Sequence, residues 1–81
     1  MNVERLAAMV NDIAAFFAGE AGPGAPAAVA NHLRRFWEPR MRTALLSHLD
    51  STGGEGLDPF TLEAVRTHRK DLTPGGKFVR P

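Results

Sequence analysis

Three prolines constrain this chain more than any other feature. Pro26, Pro39 and Pro59 each stand at the head of a segment whose apolar residues recur at steps of three and four. Proline is harmless in the first turn of an α-helix, where its missing N–H has no intrahelical partner, and disruptive inside helices and central strands. A chain of 81 residues punctuated in this way divides into short helices, each with a preset starting point.

The segments follow from that punctuation. Val3, Leu6, Met9/Val10, Ile13 and Phe16/Phe17 describe an amphipathic helix, with Asn2 as its N-cap and Gly19 as its stop. "GEAGPGAP" reads as a loop, and Pro26 opens a second helix carrying Val29, Leu33 and Phe36/Trp37 on one face. Glu38 precedes a proline, which drives it out of the α region and ends that helix. Pro39 opens the third helix, with the Glu38 carboxylate beside its N-terminal dipole and Met41, Leu45 and His48/Leu49 repeating along it. "STGGEG" ends it. Asp58 as N-cap, Pro59 at the first position and Leu57 stapled to Leu62 start a fourth, lined by Phe60, Leu62, Val65 and Leu72.

No segment alternates as a strand does, and no internal repeat is visible. The spacing predicts an all-α fold: a small bundle of about four short helices at 3–18, 26–37, 39–51 and 59–71, with a proline-marked corner between the second and third. Residues 1–72 form the single expected domain. Residues 73–81, with two prolines and two glycines, form an expected extended or flexible tail. A domain this small has a modest core, so burial against a partner would stabilise it further.

Charge and residue types exclude much. Ten Lys+Arg against nine Asp+Glu leave a formal net charge of +1, with no general attraction to nucleic acid or membrane. Cysteine is absent, which removes disulfides, thiolate nucleophiles and cysteine-held zinc or iron–sulfur clusters, and accords with a cytoplasmic location. The N-terminal helix is interrupted by Glu4, Arg5, Asn11 and Asp12, so neither a signal peptide nor a membrane span is expected. His32, His48 and His68 have no metal-ligand spacing, Ser47 and Ser51 lack a nucleophile elbow, and the carboxylates are scattered. "GPG" and "GGEG" follow no strand and carry no phosphate-loop lysine. No catalytic, cofactor-binding or metal-binding residue is expected in this chain.

One local feature remains. "HLRRFWEPRMR", His32 to Arg42, contains the only tryptophan and four of the eight arginines. Helix–corner–helix with arginines could imitate a DNA-binding motif, but such proteins add broad positive charge, and here acidic residues cancel it. Two readings stand level. Phe36, Trp37 and Met41 could be core at the junction with the arginines simply exposed. Alternatively the cluster is a protein-binding surface, because Trp, Arg, Phe and Met are the types enriched at interface hot spots. On the second reading the partner-binding residues are Arg34, Arg35, Trp37, Pro39, Arg40 and Arg42.

At these residues the chain resembles the small delta subunit of cytoplasmic, NAD-dependent, molybdenum-containing formate dehydrogenases. Arg5, Leu6, Met9, Asn11, Ile13, Phe16 and Phe17 are similar to that family's "RLxxMxNxIxxFF". His32, Phe36, Trp37, Pro39, Arg40, Met41 and Arg42 are similar to its "HIxxFWxPRMR", and "GGEGLDPFTLEAV" to its glycine loop followed by "GLxPLVxxA". The resemblance runs from Val3 to about Val65. It departs at Val10-Asn11-Asp12, where the family often reads Ala-Asn-Gln, and has no counterpart for Thr73–Pro81.

The resemblance implies a non-catalytic subunit that supports assembly or stability of a formate-oxidising, NAD-reducing complex. The cofactors (a molybdenum or tungsten pterin, iron–sulfur clusters, FMN and NAD) would lie on the larger subunits, with the alpha subunit as the expected dock. A transient helical maturation factor for the molybdenum enzyme is the alternative, and a small nucleic-acid-binding regulator a more distant one.

Overall fold

The computed structural model describes residues 2–74. Among the described residues five helices follow one another: α1 (Val3–Glu20), α2 (Ala25–Phe36), α3 (Pro39–Thr52), α4 (Pro59–Thr67) and α5 (Arg69–Leu72), with a 3-10 turn at Gly22–Gly24. No strand occurs among the described residues, and the fold is the expected small all-α bundle. The expected tail falls mostly at 75–81, outside the described residues.

The start signals read from the sequence stand where they were placed. Asn2 accepts the Arg5 N–H through Oδ1 at 3.1 Å, and each proline lies at the first or second helical position. The stops differ in detail. α1 runs through Gly19 to Glu20, because the left-handed backbone that glycine best provides is needed later, at Gly22 with φ 55°. α2 ends at Phe36, one residue early, since both Trp37 (φ −86°, ψ 138°) and Glu38 (φ −64°, ψ 151°) are extended. The expected single helix at 59–71 breaks at His68, whose φ of −108° and ψ of 26° redirect the chain so that Leu72 is buried. α5 thereby packs on α2 and α3.

α2 is the hub, lying against α1, α4 and α5, while α3 leans on α1 and α5. The core contains Leu6, Val10 and Ala14 from α1 and Val29, Ala30 and Leu33 from α2. Leu45, Leu46 and Leu49 of α3 join Ala64, Val65 and Leu72 to complete it. Each set follows helical spacing, so one stripe per helix faces inward.

The α3–α4 loop needs glycine at a defined point. Gly54 is buried at φ 95°, and a Cβ there would stand 2.6 Å from Leu62 Cδ1, with Leu49 and Leu57 also against it. Leu57 and Leu62 thus close over the loop, as the hydrophobic staple predicts. Thr52 Oγ1 accepts the N–H groups of Gly54 and Glu55 at 3.2 and 3.0 Å while donating to the His48 carbonyl. His48 Nε2 reaches the Glu55 carbonyl oxygen at 2.6 Å. From α1, Asn11 donates to the Gly56 carbonyl and accepts the Asp58 N–H, each at 2.9 Å.

Candidate docking surface

The corner between α2 and α3 separates the residues of the basic cluster into two classes. Trp37 is 6% exposed and belongs to the core, with its backbone N–H still donating to the Leu33 carbonyl at 2.9 Å. It therefore fixes the junction from inside instead of presenting its ring, a correction to its place among surface residues. The exposed aromatic at the corner is Phe36, 67% accessible, which the spacing had put on the inner face beside Trp37. Helical side chains lean toward the N-terminus. From the last position of α2 the Phe36 ring consequently lies over His32, one turn back, at 4.8 Å between centroids.

The arginines flank this junction. Arg34 and Arg35 occupy the last turn of α2, where a cation complements the helix dipole. The Arg35 guanidinium lies 5.8 Å from the Phe36 ring centroid, within cation–π range. Across the corner Pro39 and Arg40 are exposed in the first turn of α3. Arg42 is half-buried, and its Nε is enclosed without a hydrogen-bond partner. None of these four arginines forms an ion pair among the described residues, where the pairs are Arg69–Asp50 and His68–Asp71. Glu38, expected to neutralise the start of α3, makes no side-chain capping bond, and no acidic residue occupies that first turn.

Other candidate chemistry is weak. An open cleft of about 540 Å³ lies between the start of α1 and the α3–α4 loop, lined by Glu4, Asn11, His48 and Glu55 among others. Its Asn11 and His48 are already engaged in holding the loop backbone. Among the described residues no group of three or more His, Cys, Asp or Glu is placed to hold a metal ion. No described helix is long and apolar enough to cross a membrane.

The sequence reading missed two features. Asn11 acts on residues far along the chain, which no local spacing could signal. The aromatic row Phe16–Phe17–His32–Phe36 joins α1 to α2 through centroid separations of 5.2, 6.0 and 4.8 Å. Its outward end, Phe16, follows Met9 by seven residues and lies with it on the flank of α1 rather than on its buried stripe. Both positions stand about 100° around the helix from Val10 and Phe17.

Comparison with known proteins agrees with the resemblance carried by these residues. A family described as NADH-dependent formate dehydrogenase delta subunit FdsD matches residues 5–65, from the first turn of α1 into α4 and across the whole corner. No curated protein and no solved structure gave a match. The family match spans most of the chain, and the chain belongs to the NADH-dependent formate dehydrogenase delta subunit family.

Proposed function

We propose that this chain is a non-catalytic accessory subunit of a cytoplasmic NAD-dependent formate dehydrogenase, docking on the larger subunits and supporting assembly or stability of the complex. The supporting observation is the set of Arg34, Arg35, Arg40 and Arg42 at one rigid corner, without ion-pair partners among the described residues. Pro39 and the buried Trp37 hold the corner, so little conformational freedom is lost when the guanidinium groups engage acceptors. The alpha, catalytic, subunit is the proposed dock.

The residues of this chain do not fit a resident cofactor. Cysteine is absent, and the histidines stand singly at positions 32, 48 and 68, with His32 and His48 committed to a ring contact and a backbone hydrogen bond. On this reading the molybdenum or tungsten pterin, iron–sulfur clusters, FMN and NAD site are supplied by the partner subunits, and no step of formate oxidation runs through this chain.

Native mass spectrometry on active enzyme purified through a tag on this chain tests the proposal. The expected result is one complex containing the chain together with the larger subunits and oxidising formate. Recovery of the chain only with inactive, cofactor-free enzyme would instead identify a maturation factor.

A further inference from the structure

We infer that the row Phe16–Phe17–His32–Phe36 is the apolar half of the docking surface, and that it receives an apolar ridge of a larger subunit edged by carboxylates. The inference rests on the docking reading and adds a second, chemically distinct contact to it.

Phe16 and Phe36 are 61% and 67% exposed, and they are joined by two half-buried rings into one continuous aromatic strip across α1 and α2. Large aromatics left outward at both ends of such a strip are uncommon on a chain that stays alone, and they are the residue type that anchors interfaces. Phe17 and Phe36 hold His32 between them, and Phe17 packs on the core, so the strip is supported from beneath and rigid.

The charge around the strip indicates the partner. Phe36 is adjacent in the chain to the corner, and the Arg35 guanidinium lies within cation–π range of its ring. The strip thus ends beside Arg35, with Arg34, Arg40 and Arg42 close by in the chain around the same corner and Glu38 the single carboxylate among residues 34–42. A carboxylate-edged apolar ridge complements both parts. A second copy meeting the same face about a two-fold axis would bring a further arginine-flanked surface to this one, and like charges across an interface oppose association. Asp12 and Glu20, one turn to either side of Phe16 on α1, could partly compensate in such a pair. Self-association is therefore the competing outcome. The strip alone is much smaller than the ~800 Å² per partner of a stable interface, so strip and corner must act together.

The test uses the tagged chain co-expressed with the other subunits of its own enzyme, reading the amount of larger subunits retained. Phe36→Ser should lower retention about tenfold and Phe16→Ser/Phe36→Ser about a hundredfold. Phe36→Tyr, which keeps the ring on His32, should retain them within about threefold of the unaltered chain. The Ser variants should keep their helical content and lose only a few degrees of melting temperature, because each gives up one ring contact of a largely exposed side chain. Wild-type retention by the double Ser variant while Arg40→Ala/Arg42→Ala loses the subunits would overturn the strip and leave the docking reading intact. Wild-type retention by both double variants would overturn both. Sedimentation revealing a dimer that the double Ser variant abolishes, with subunit retention unchanged, would reassign the strip to self-association and overturn the inference.

Discussion

Asn11 holds the backbone of Asp58 across 47 positions of sequence: its Oδ1 accepts the Asp58 N–H at 2.9 Å. The other end of the same amide donates to the Gly56 carbonyl, also at 2.9 Å, which fixes its orientation. Asp58 is the N-cap of α4 but makes no side-chain capping bond of its own. In a capping box the residue three positions into the helix returns to the N-cap N–H. That position here is Thr61, which is buried and does not reach back. Asn11 supplies the missing acceptor from another helix, so the start of α4 depends on α1.

Asn11→Ala should therefore destabilise the domain by about 1–2 kcal/mol, from two exposed hydrogen bonds that water replaces only in part. The melting temperature should fall by roughly 4–8 °C per kcal/mol, read by circular dichroism. Asn11→Asp keeps an acceptor for Asp58 but sets a carboxylate against the Gly56 carbonyl, and should recover little of the loss.

Adjacent glycines should respond differently to the same substitution. Gly53 caps α3 at φ 78° with open space around it, so Gly53→Ala costs about 1 kcal/mol of left-handed strain. Gly54→Ala adds a collision to similar strain, because the new Cβ would stand 2.6 Å from Leu62 Cδ1, a side-chain end that must shift to admit it. A loss of about 2 kcal/mol is expected there. Urea unfolding of the two variants separates them, and equal midpoints would contradict the packing of the three leucines.

These contrasts mark what the sequence could disclose. Pro26, Pro39, Pro59 and the cap at Asn2 were legible because each acts on its own turn of helix. Asp58 was legible as a boundary but not as a cap made by Asn11, because the acceptor comes from elsewhere in the fold. Phe36 and Trp37 illustrate the same limit at the corner. Both continue the apolar spacing of α2, but the helix stops between them, so Trp37 turns into the core and Phe36 stays out over His32. The arginines at the corner were legible as a cluster. Their lack of ion-pair partners among the described residues was not, since only the fold decides which carboxylates come near.

Thr61 is 1% exposed and its hydroxyl has no hydrogen-bond partner. An enclosed, unpartnered hydroxyl loses its hydration without compensation. Thr61→Val, nearly the same shape, should raise stability by about 1 kcal/mol, visible as a higher melting temperature. No gain would mean that the hydroxyl is bonded in solution.

Asp50 and Arg69 tie α3 to α5 by a two-pronged ion pair at 2.8 and 2.7 Å. The hydrogen bonds from Arg69 hold the Asp50 carboxyl below its ordinary range, against a smaller opposing effect of desolvation. A carboxyl lowered in the folded state adds stability that is complete above its unfolded pKa and lost as pH falls through the folded one. Arg69 is shifted upward by the same bonds, so its contribution disappears only in strong alkali. Wild type and Asp50→Asn should therefore differ by a constant melting increment near neutrality and converge only in acid below the usual carboxylate range. The increment should be small and salt-sensitive, because the pair is exposed.

Arg40 distinguishes folding from docking by the sign of two effects. It occupies the first turn of α3, at the positive end of the helix dipole, with no acidic residue in that turn. A cation there opposes the helix dipole, so Arg40→Ala should leave the isolated chain as stable as before or a few tenths of a kcal/mol more stable. If the corner docks on the larger subunits, the same change should weaken the complex by on the order of 2 kcal/mol, about thirtyfold in affinity. Arg42 is a less clean probe, since its half-buried side chain and enclosed Nε make truncation a packing change as well. Arg69 is unsuitable as a control because Asp50 engages it, whereas Arg66 is exposed and forms no ion pair among the described residues. The measurement is a melting curve and a subunit pull-down for Arg40→Ala and Arg66→Ala in parallel. A stable Arg40→Ala chain that loses the larger subunits while Arg66→Ala keeps them is the expected outcome. Unchanged retention with Arg40→Ala and Arg42→Ala combined would leave the arginines as solvated surface and remove the basis for docking at this corner.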